Sequence, residues 1–308
     1  MNKIKKHIRS LRVKRKYRKA KSAIMELFFT LLVLPNRIFC FGGLNTSPRE
    51  QKIVVSMTSI PPRLSLIHLA IESIMRQTVK PDRIVLWLSK EYKKPEFGGF
   101  DWQNLPASLT NLESRGLEIT FTKDIGPFQK LIPSLKRFPD DIVITMDDDV
   151  FYDSDTIDKL YKAYLENGVD CLYCKRSRIF TMSSARSFAP YEGWQTSFSS
   201  ADNDRGLFYE SSGGGLYPPH IFDEEVFRED IFSSLTPNND DIWVNAMVLR
   251  RGKTVFQVET RDAYRLRNES RFSLVSKNVA QDENAPQLKA VFDHYNLYGK
   301  LKKNDGNP

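Results

Sequence analysis

Three consecutive carboxylates, Asp147-Asp148-Asp149, follow directly on the apolar run Asp141–Met146 (DIVITM). That run reads as a buried strand, and open α/β sheets bind ligands at the carboxyl ends of their strands. Hard divalent cations take carboxylate oxygens. Asp147 and Asp149 brought together without a counter-cation would repel, and a pKa would rise. A metal bridging to a diphosphate removes that conflict and neutralises a leaving group. The bland alternative is a solvated acidic turn in which Asp148 caps the next helix. A second acidic site, Asp240-Asp241, opens the segment DDIWVNAM. The exposed N–H groups and dipole of a helix start favour a carboxylate there, and capping alone accounts for one of the two.

Weaker signals surround these two sites. Gly213-Gly214-Gly215, followed by Leu-Tyr-Pro-Pro, offers either a close backbone approach to a ligand or a tight turn. It is not a phosphate loop, since no GxxxxGK[ST] pattern occurs. Lys130 lies in the helix expected before the strand leading to the triplet, where an ammonium could meet a diphosphate or simply face solvent. Ser56 and Arg63, at the carboxyl end of the first strand, are nucleotide candidates of the same kind. Cys171 and Cys174 have CxxC spacing, but no partner pair completes a zinc site, so core packing is the default.

The elements that must position these groups alternate. Lys52–Ser59, Arg83–Ser89, Leu117–Thr122 and Asp141–Met146 read as strands. Helical stripes run from Leu64 to Gln77, over Pro127–Arg137 and over Ser154–Glu166. Further on, a strand is expected at Cys171–Arg176 and another at Thr254–Glu259, with helices at Asp223–Glu229, Asp240–Arg250 and Pro286–Tyr298. The stretch Ile179–Gly215 has no clear period and reads as a long functional loop or a partly ordered insertion. Strand–helix alternation implies an α/β fold with a mostly parallel sheet flanked by helices. The last residues, 299–308, are polar and expected to fray.

Charge divides the chain unevenly. Residues 1–50 carry 13 Lys+Arg against 2 Asp+Glu; the other 258 carry 33 against 36, a net charge of −3. The body is therefore nearly neutral, which argues against a nucleic-acid enzyme. The basic part lies in residues 3–21, with eleven Lys/Arg, and is followed by Ala23–Leu34, apolar except for Glu26 and Thr30. Twelve helical residues span ~18 Å, short of a ~30 Å hydrocarbon core. Residues 1–45 thus read as a basic helical arm lying in an anionic membrane face. A signal or anchor segment, or a solvated or nucleic-acid-binding tail, is the alternative.

Taken together, KIVVSMTSIPPR, PDRIVLWLS, DIGPFQKLIPSLKRFPDDIVITMDDDV, GGGLYPP and NDDIWVNAM resemble bacterial glycosyltransferases of the GT-A fold, similar to family 2, over roughly residues 52–298. The resemblance implies a Rossmann-like catalytic domain at 50–298 and a DxD motif with Asp147 and Asp149 in its outer positions. Asp149 would then ligate Mn2+ or Mg2+, and Asp147 would approach the ribose or the metal. Asp241 would be the base that activates the acceptor hydroxyl, with Asp240 capping the helix or touching the acceptor. Gly213–Gly215 would border the acceptor and donor sugar, and His294 would complete the metal shell. Where family 2 enzymes carry an acidic pair after the second strand, WLSKE stands here, so Asp124 is the substitute for reading the nucleobase.

The expected activity is a metal-dependent, inverting transfer of a sugar from a nucleotide-sugar donor, a UDP-sugar first among them. The acceptor would be a hydroxyl of a glycan or lipid-linked molecule, in bacterial surface polysaccharide synthesis at the cytoplasmic face of the plasma membrane. Two other readings compete: a Mg2+-dependent nucleotidyl or phosphoryl transferase, and a non-catalytic membrane-tethered module that binds sugar or cation.

Overall fold

β-Branched and large apolar residues dominate four segments of the chain; the structure buries three of them almost completely and leaves the fourth, Leu117–Phe121, half-buried. It is a computed structural model that describes residues 24, 27–34, 42–198, 206–258, 264–266 and 284–301. In chain order the helix at 27–34 (α1) leads to β1 (Ile53–Thr58), α2 (Ile67–Met75), β2 (Arg83–Leu88), α3 (Ala107–Thr110) and β3 (Leu117–Phe121). Next come α4 (Ile132–Arg137), β4 (Ile142–Thr145), β5 (Val150–Phe151), α5 (Thr156–Asn167) and β6 (Cys171–Cys174). Five short strands follow: β7 (Ser177–Ile179), β8 (Met182–Ser184), β9 (Ser187–Phe188), β10 (Thr196–Ser197) and β11 (Leu207–Tyr209). The chain continues through β12 (Gly215–Tyr217), α6 (Glu229–Leu235), α7 (Asp240–Arg250), β13 (Thr254–Gln257), β14 (Tyr264–Arg265) and α8 (Asn284–Tyr295).

Among the described residues, seven strands form one sheet in the order β13-β6-β12-β4-β1-β2-β3. β1 is parallel to both β2 and β4, β2 is parallel to β3, and β13 is parallel to β6. Only β12 runs against its neighbours β4 and β6. Ile53, Val55, Ile84, Leu86, Ile142 and Ile144 supply one face of the central core. The expected α/β architecture, mixed and mostly parallel, is what the chain adopts, because such strands bury both faces and need helices on each side.

Several expectations change in detail. The helix expected over Pro127–Arg137 is split: Gly126–Lys130 is a tight 3-10 segment and α4 begins only at Ile132. Pro127 and Pro133 each sit near the start of a helical segment, where a missing N–H costs nothing. The helix expected over Asp223–Glu229 is a short 3-10 turn, and α6 starts where it was to end. The period-free stretch Ile179–Gly215 is structured in its described part, with β7 pairing antiparallel to both β10 and β11. Residues 199–205 within it, the first 23 residues and the final residues 302–308 lie outside the described residues.

Two buried ties hold the frame together. Glu72, fully buried on α2, takes a bidentate pair from Arg115, with Nη1–Oε1 at 2.6 Å and Nη2–Oε2 at 3.1 Å. Asn245 of α7 donates to the Tyr209 carbonyl at 3.0 Å and accepts from the Tyr209 amide at 2.8 Å, so α7 is locked to β11. The helix that carries the second acidic pair is thereby fixed against the small β10-β7-β11 sheet.

Candidate active site

A cleft of about 650 Å³ opens over the carboxyl ends of β1 to β4. Its floor comes from the segments that leave those four strands: Ser59 and Arg63 after β1, Tyr92 and Phe97 after β2, Asp124 to Lys130 after β3, and Asp147–Asp149 after β4. The opposite wall holds Glu210, Ser211, Asp240 and Asp241. The two acidic sites therefore face a common space, as a parallel sheet with this strand order favours.

Each carboxylate of the triplet has a different role. Asp148, buried, accepts from Ser59 Oγ at 2.5 Å and from Arg63 Nη1 at 2.7 Å. It is the anchor of the turn and does not cap α5. Arg63 also lies 3.7 Å from Asp149. Burial opposes the Arg63 charge, but Asp148 and Asp149 outweigh it and hold its pKa above the ordinary arginine value. Asp147 pairs with Lys130 Nζ at 2.9 Å, while its amide donates to Tyr152 Oη at 2.6 Å. The Asp149 carbonyl accepts from the Leu266 amide at 2.7 Å, continuing the β5–β14 pairing. The backbone on both sides of the acidic turn is thus held by hydrogen bonds.

Lys130 is the bridge between the two acidic sites. Besides Asp147, its buried ammonium reaches Ser211 Oγ at 2.9 Å and Asp240 Oδ2 at 3.3 Å. Burial works against its charge, yet Asp147, Asp240 and Asp241 together keep its pKa well above the ordinary lysine value. Asp241 accepts from the Ser211 amide at 3.1 Å. Burial first, and then repulsion from Asp240, push the Asp241 carboxyl well above the usual carboxylate range against the pull of Lys130. Asp240 moves the same way for the same leading reason, moderated by Lys130. A raised carboxyl pKa suits a proton acceptor, because it narrows the gap to the working pH.

The expectation that Asp240 caps α7 is corrected. Asn239 is the cap: its side chain accepts from the Ile242 amide at 3.1 Å and donates to Asn284 Oδ1 at 2.8 Å. Both aspartates are released from that duty. Asp124 does line the cleft, but its two oxygens accept the Lys93 amide at 2.8 Å and the Gly126 amide at 2.9 Å. It shapes the wall by tying the two loops after β2 and β3 together.

Three other sequence candidates lie elsewhere. Ser56 is fully buried, bonded to the Lys130 carbonyl and to Ser134 Oγ, so it fixes β1 to the segment that carries Lys130. Gly213, Gly214 and Gly215 do not line the cleft. Gly215 begins β12, and a Cβ there would stand 2.5 Å from the Tyr209 hydroxyl; Gly214 has φ +97°. Those glycines serve sheet packing and backbone conformation. His294 is exposed on α8. Ten helical residues, ~15 Å, separate it from Asn284, the member of that helix lining the cleft.

Sequence reasoning missed Glu210, which stands in YESSGGG without a periodic context. Glu210 Oε1 accepts from Arg178 Nε at 3.1 Å and from Tyr191 Oη at 2.8 Å. Its buried Oε2 makes no hydrogen bond to any described residue and lies 3.6 Å from Arg176 Nε. Tyr92 was missed as well. Its hydroxyl donates to the Ser59 carbonyl at 2.8 Å, and burial pushes its phenol up to about 12.

Among the described residues no group of three or more His, Cys, Asp or Glu is arranged to hold a metal by itself. The acidic turn instead suits an ion held by one or two carboxylates and completed by phosphate oxygens, the usual manner for Mg2+ at diphosphates.

No protein-family model matches the chain, and no curated protein matches it in sequence. Among solved structures it is similar to the mannosyltransferase PcManGT from Pyrobaculum calidifontis, determined in complex with GDP-Man and Mn2+. The identity is 12% and the TM-score 0.47, with 90% of this chain and 81% of that one covered. A 4-diphosphocytidyl-2C-methyl-D-erythritol synthase matches at 11% identity and a TM-score of 0.42, covering 78% and 99%. TarS from S. aureus matches at 11% and 0.41, covering 70% and 60%. Similarity at this level does not carry an activity across, so the chemistry of the cleft rests on its own residues.

Proposed function

We propose that the chain is a glycosyltransferase that moves a sugar from a nucleotide-sugar donor to a hydroxyl of a glycan or lipid-linked acceptor. The observation that carries this reading is the meeting of Asp147–Asp149 with Asp240-Asp241 across one cleft, with Lys130 between them. The acceptor hydroxyl gives its proton to the Asp241 carboxylate as its oxygen attacks the anomeric carbon. The bond from that carbon to the diphosphate oxygen breaks, its electron pair leaves with the nucleoside diphosphate, and the anomeric centre inverts. Lys130 and Arg63 place two fixed positive charges beside the leaving group, where preorganised cations stabilise developing charge. Asp147 and Asp149 would hold a divalent ion, Mn2+ or Mg2+, that arrives with the diphosphate and offsets its charge. UDP-sugars are the first donors to screen, and synthesis of a bacterial surface polysaccharide is the proposed setting.

The test is hydrolysis of nucleotide sugars in the absence of acceptor, with and without Mn2+, by wild type and Asp149→Ala. The reading expects metal-stimulated release of nucleoside diphosphate by wild type and its loss in the variant. Consumption of nucleoside triphosphates instead would assign a nucleotidyl or phosphoryl transferase. Sugar-nucleotide binding without turnover in the presence of sugar acceptors would assign a binding module.

A further inference from the structure

Helix α1 has two unlike faces. Phe29 and Val33 point into the central core, and the Phe29 ring stacks on Phe151 with centroids 3.9 Å apart and planes at 15°. Arg76 Nη1 reaches the Leu32 carbonyl near the end of the helix at 3.4 Å. The helix is therefore part of the folded body, seated against β5 two residues beyond Asp149.

Its other face is bare. Ile24, Leu27, Phe28, Leu31 and Leu34 are exposed by 66, 60, 52, 58 and 43%. Their i, i+3, i+4, i+7 spacing makes a single stripe along the helix. Five of the ten large apolar side chains exposed among the described residues belong to this one short helix and a sixth, Ile24, stands three residues before it, so the stripe is a patch and not scatter.

We propose that this face docks into an anionic lipid bilayer, lying in its plane. The adjoining segment 3–21 carries eleven Lys/Arg and no acidic residue. Apolar side chains beside a dense cationic run are the two components of interfacial binding: one enters the acyl boundary, the other meets anionic headgroups. A second copy of this chain fits less well, because pairing the stripes would bring two such cationic segments together. No described helix is long and apolar enough to cross a membrane. Because the inner face is locked to β5, docking holds the cleft in a fixed attitude to the lipid surface.

The test is co-sedimentation of the full chain with neutral phosphatidylcholine vesicles and with vesicles containing phosphatidylglycerol. Wild type should pellet with the anionic vesicles, remain in solution with the neutral ones, and be released by high salt. The triple substitution Leu27→Glu, Phe28→Glu, Leu31→Glu should weaken anionic binding at least about tenfold. Its melting temperature should be unchanged, since the three side chains already face solvent. Equal pelleting of the triple variant would overturn the proposal, as would a wild type that ignores both vesicle types. A concentration-dependent dimer abolished by the triple substitution, without vesicle binding, would assign the face to a second copy. Nucleotide-sugar binding measured in the same variants should stay at the wild-type level, which keeps this outcome separate from that of the transfer reaction.

Discussion

Replacing Lys130 by Met should make the stability of the protein depend on pH in a specific direction. In wild type the buried ammonium lies 2.9 Å from Asp147 and 3.3 Å from Asp240, and it also lowers the pKa of Asp241. Its own pKa is raised by those carboxylates over the opposing effect of burial. The stability it confers is complete below the unfolded lysine value and is lost only as pH climbs through the higher folded value, so it is flat across neutral pH. Removing one partner of a buried ion pair costs ~3–5 kcal/mol. At pH 8 that corresponds to a fall of roughly 10 °C in melting temperature for a domain of this size.

The abandoned carboxyls then decide the pH dependence. Both carboxyls already have raised pKa values, Asp240 from burial and Asp147, Asp241 from burial and Asp240, and without Lys130 they rise further. A carboxyl whose folded pKa is raised stabilises the fold at low pH and ceases to do so as pH rises through that value. Thermal unfolding of Lys130→Met in EDTA should therefore show a large deficit at pH 8 that shrinks by about half or more at pH 5. A deficit independent of pH would mean that Lys130 acts by packing its stem, and no deficit would mean that the acidic sites do not share it. Either result would refute the electrostatic reasoning.

Arg115→Ala removes the bidentate cationic partner of the fully buried Glu72 and should cost ~3–5 kcal/mol, measured by denaturant unfolding. Asp241→Asn keeps an acceptor for the Ser211 amide but removes a carboxyl raised by burial and by Asp240. It should therefore stabilise the fold by ~0.5–2 kcal/mol at pH 8, with the gain vanishing in acid, by thermal melts across pH. Gly215→Ala puts a Cβ 2.5 Å from the Tyr209 hydroxyl and should cost ~1–3 kcal/mol while leaving nucleotide-sugar affinity near wild type.

The sequence made some of this architecture readable for a definite reason. β1, β2 and β4 are short runs of Ile, Val and Leu buried on both faces, a pattern local enough to read directly. The acidic triplet was readable because it ends such a strand. β12 was not, although it lies between β4 and β6, because its residues Gly215–Tyr217 come between two glycines and two prolines. Only the approach of Tyr209 explains why no side chain fits at Gly215. The strands of 177–209 owe their pairing to partners distant in sequence, such as Phe208 opposite Arg178, and carry no local signature. Glu210 was hidden for the same reason. Asn239, by contrast, was a missed signal: Asn is among the best N-cap residues, and it stands directly before the acidic pair.

The most direct test of the central claim separates donor binding from transfer at the two acidic sites. Calorimetric titration of a nucleotide sugar with Mn2+, together with single-turnover transfer, should be measured for wild type, Asp149→Ala and Asp241→Asn. If the two sites act on one substrate, Asp149→Ala loses metal-dependent affinity and transfer together. Asp241→Asn should keep its affinity within about threefold while transfer falls ~10²–10⁴-fold, the usual contribution of a general base. Full transfer by Asp241→Asn, or nucleotide-sugar binding indifferent to both substitutions, would contradict the account.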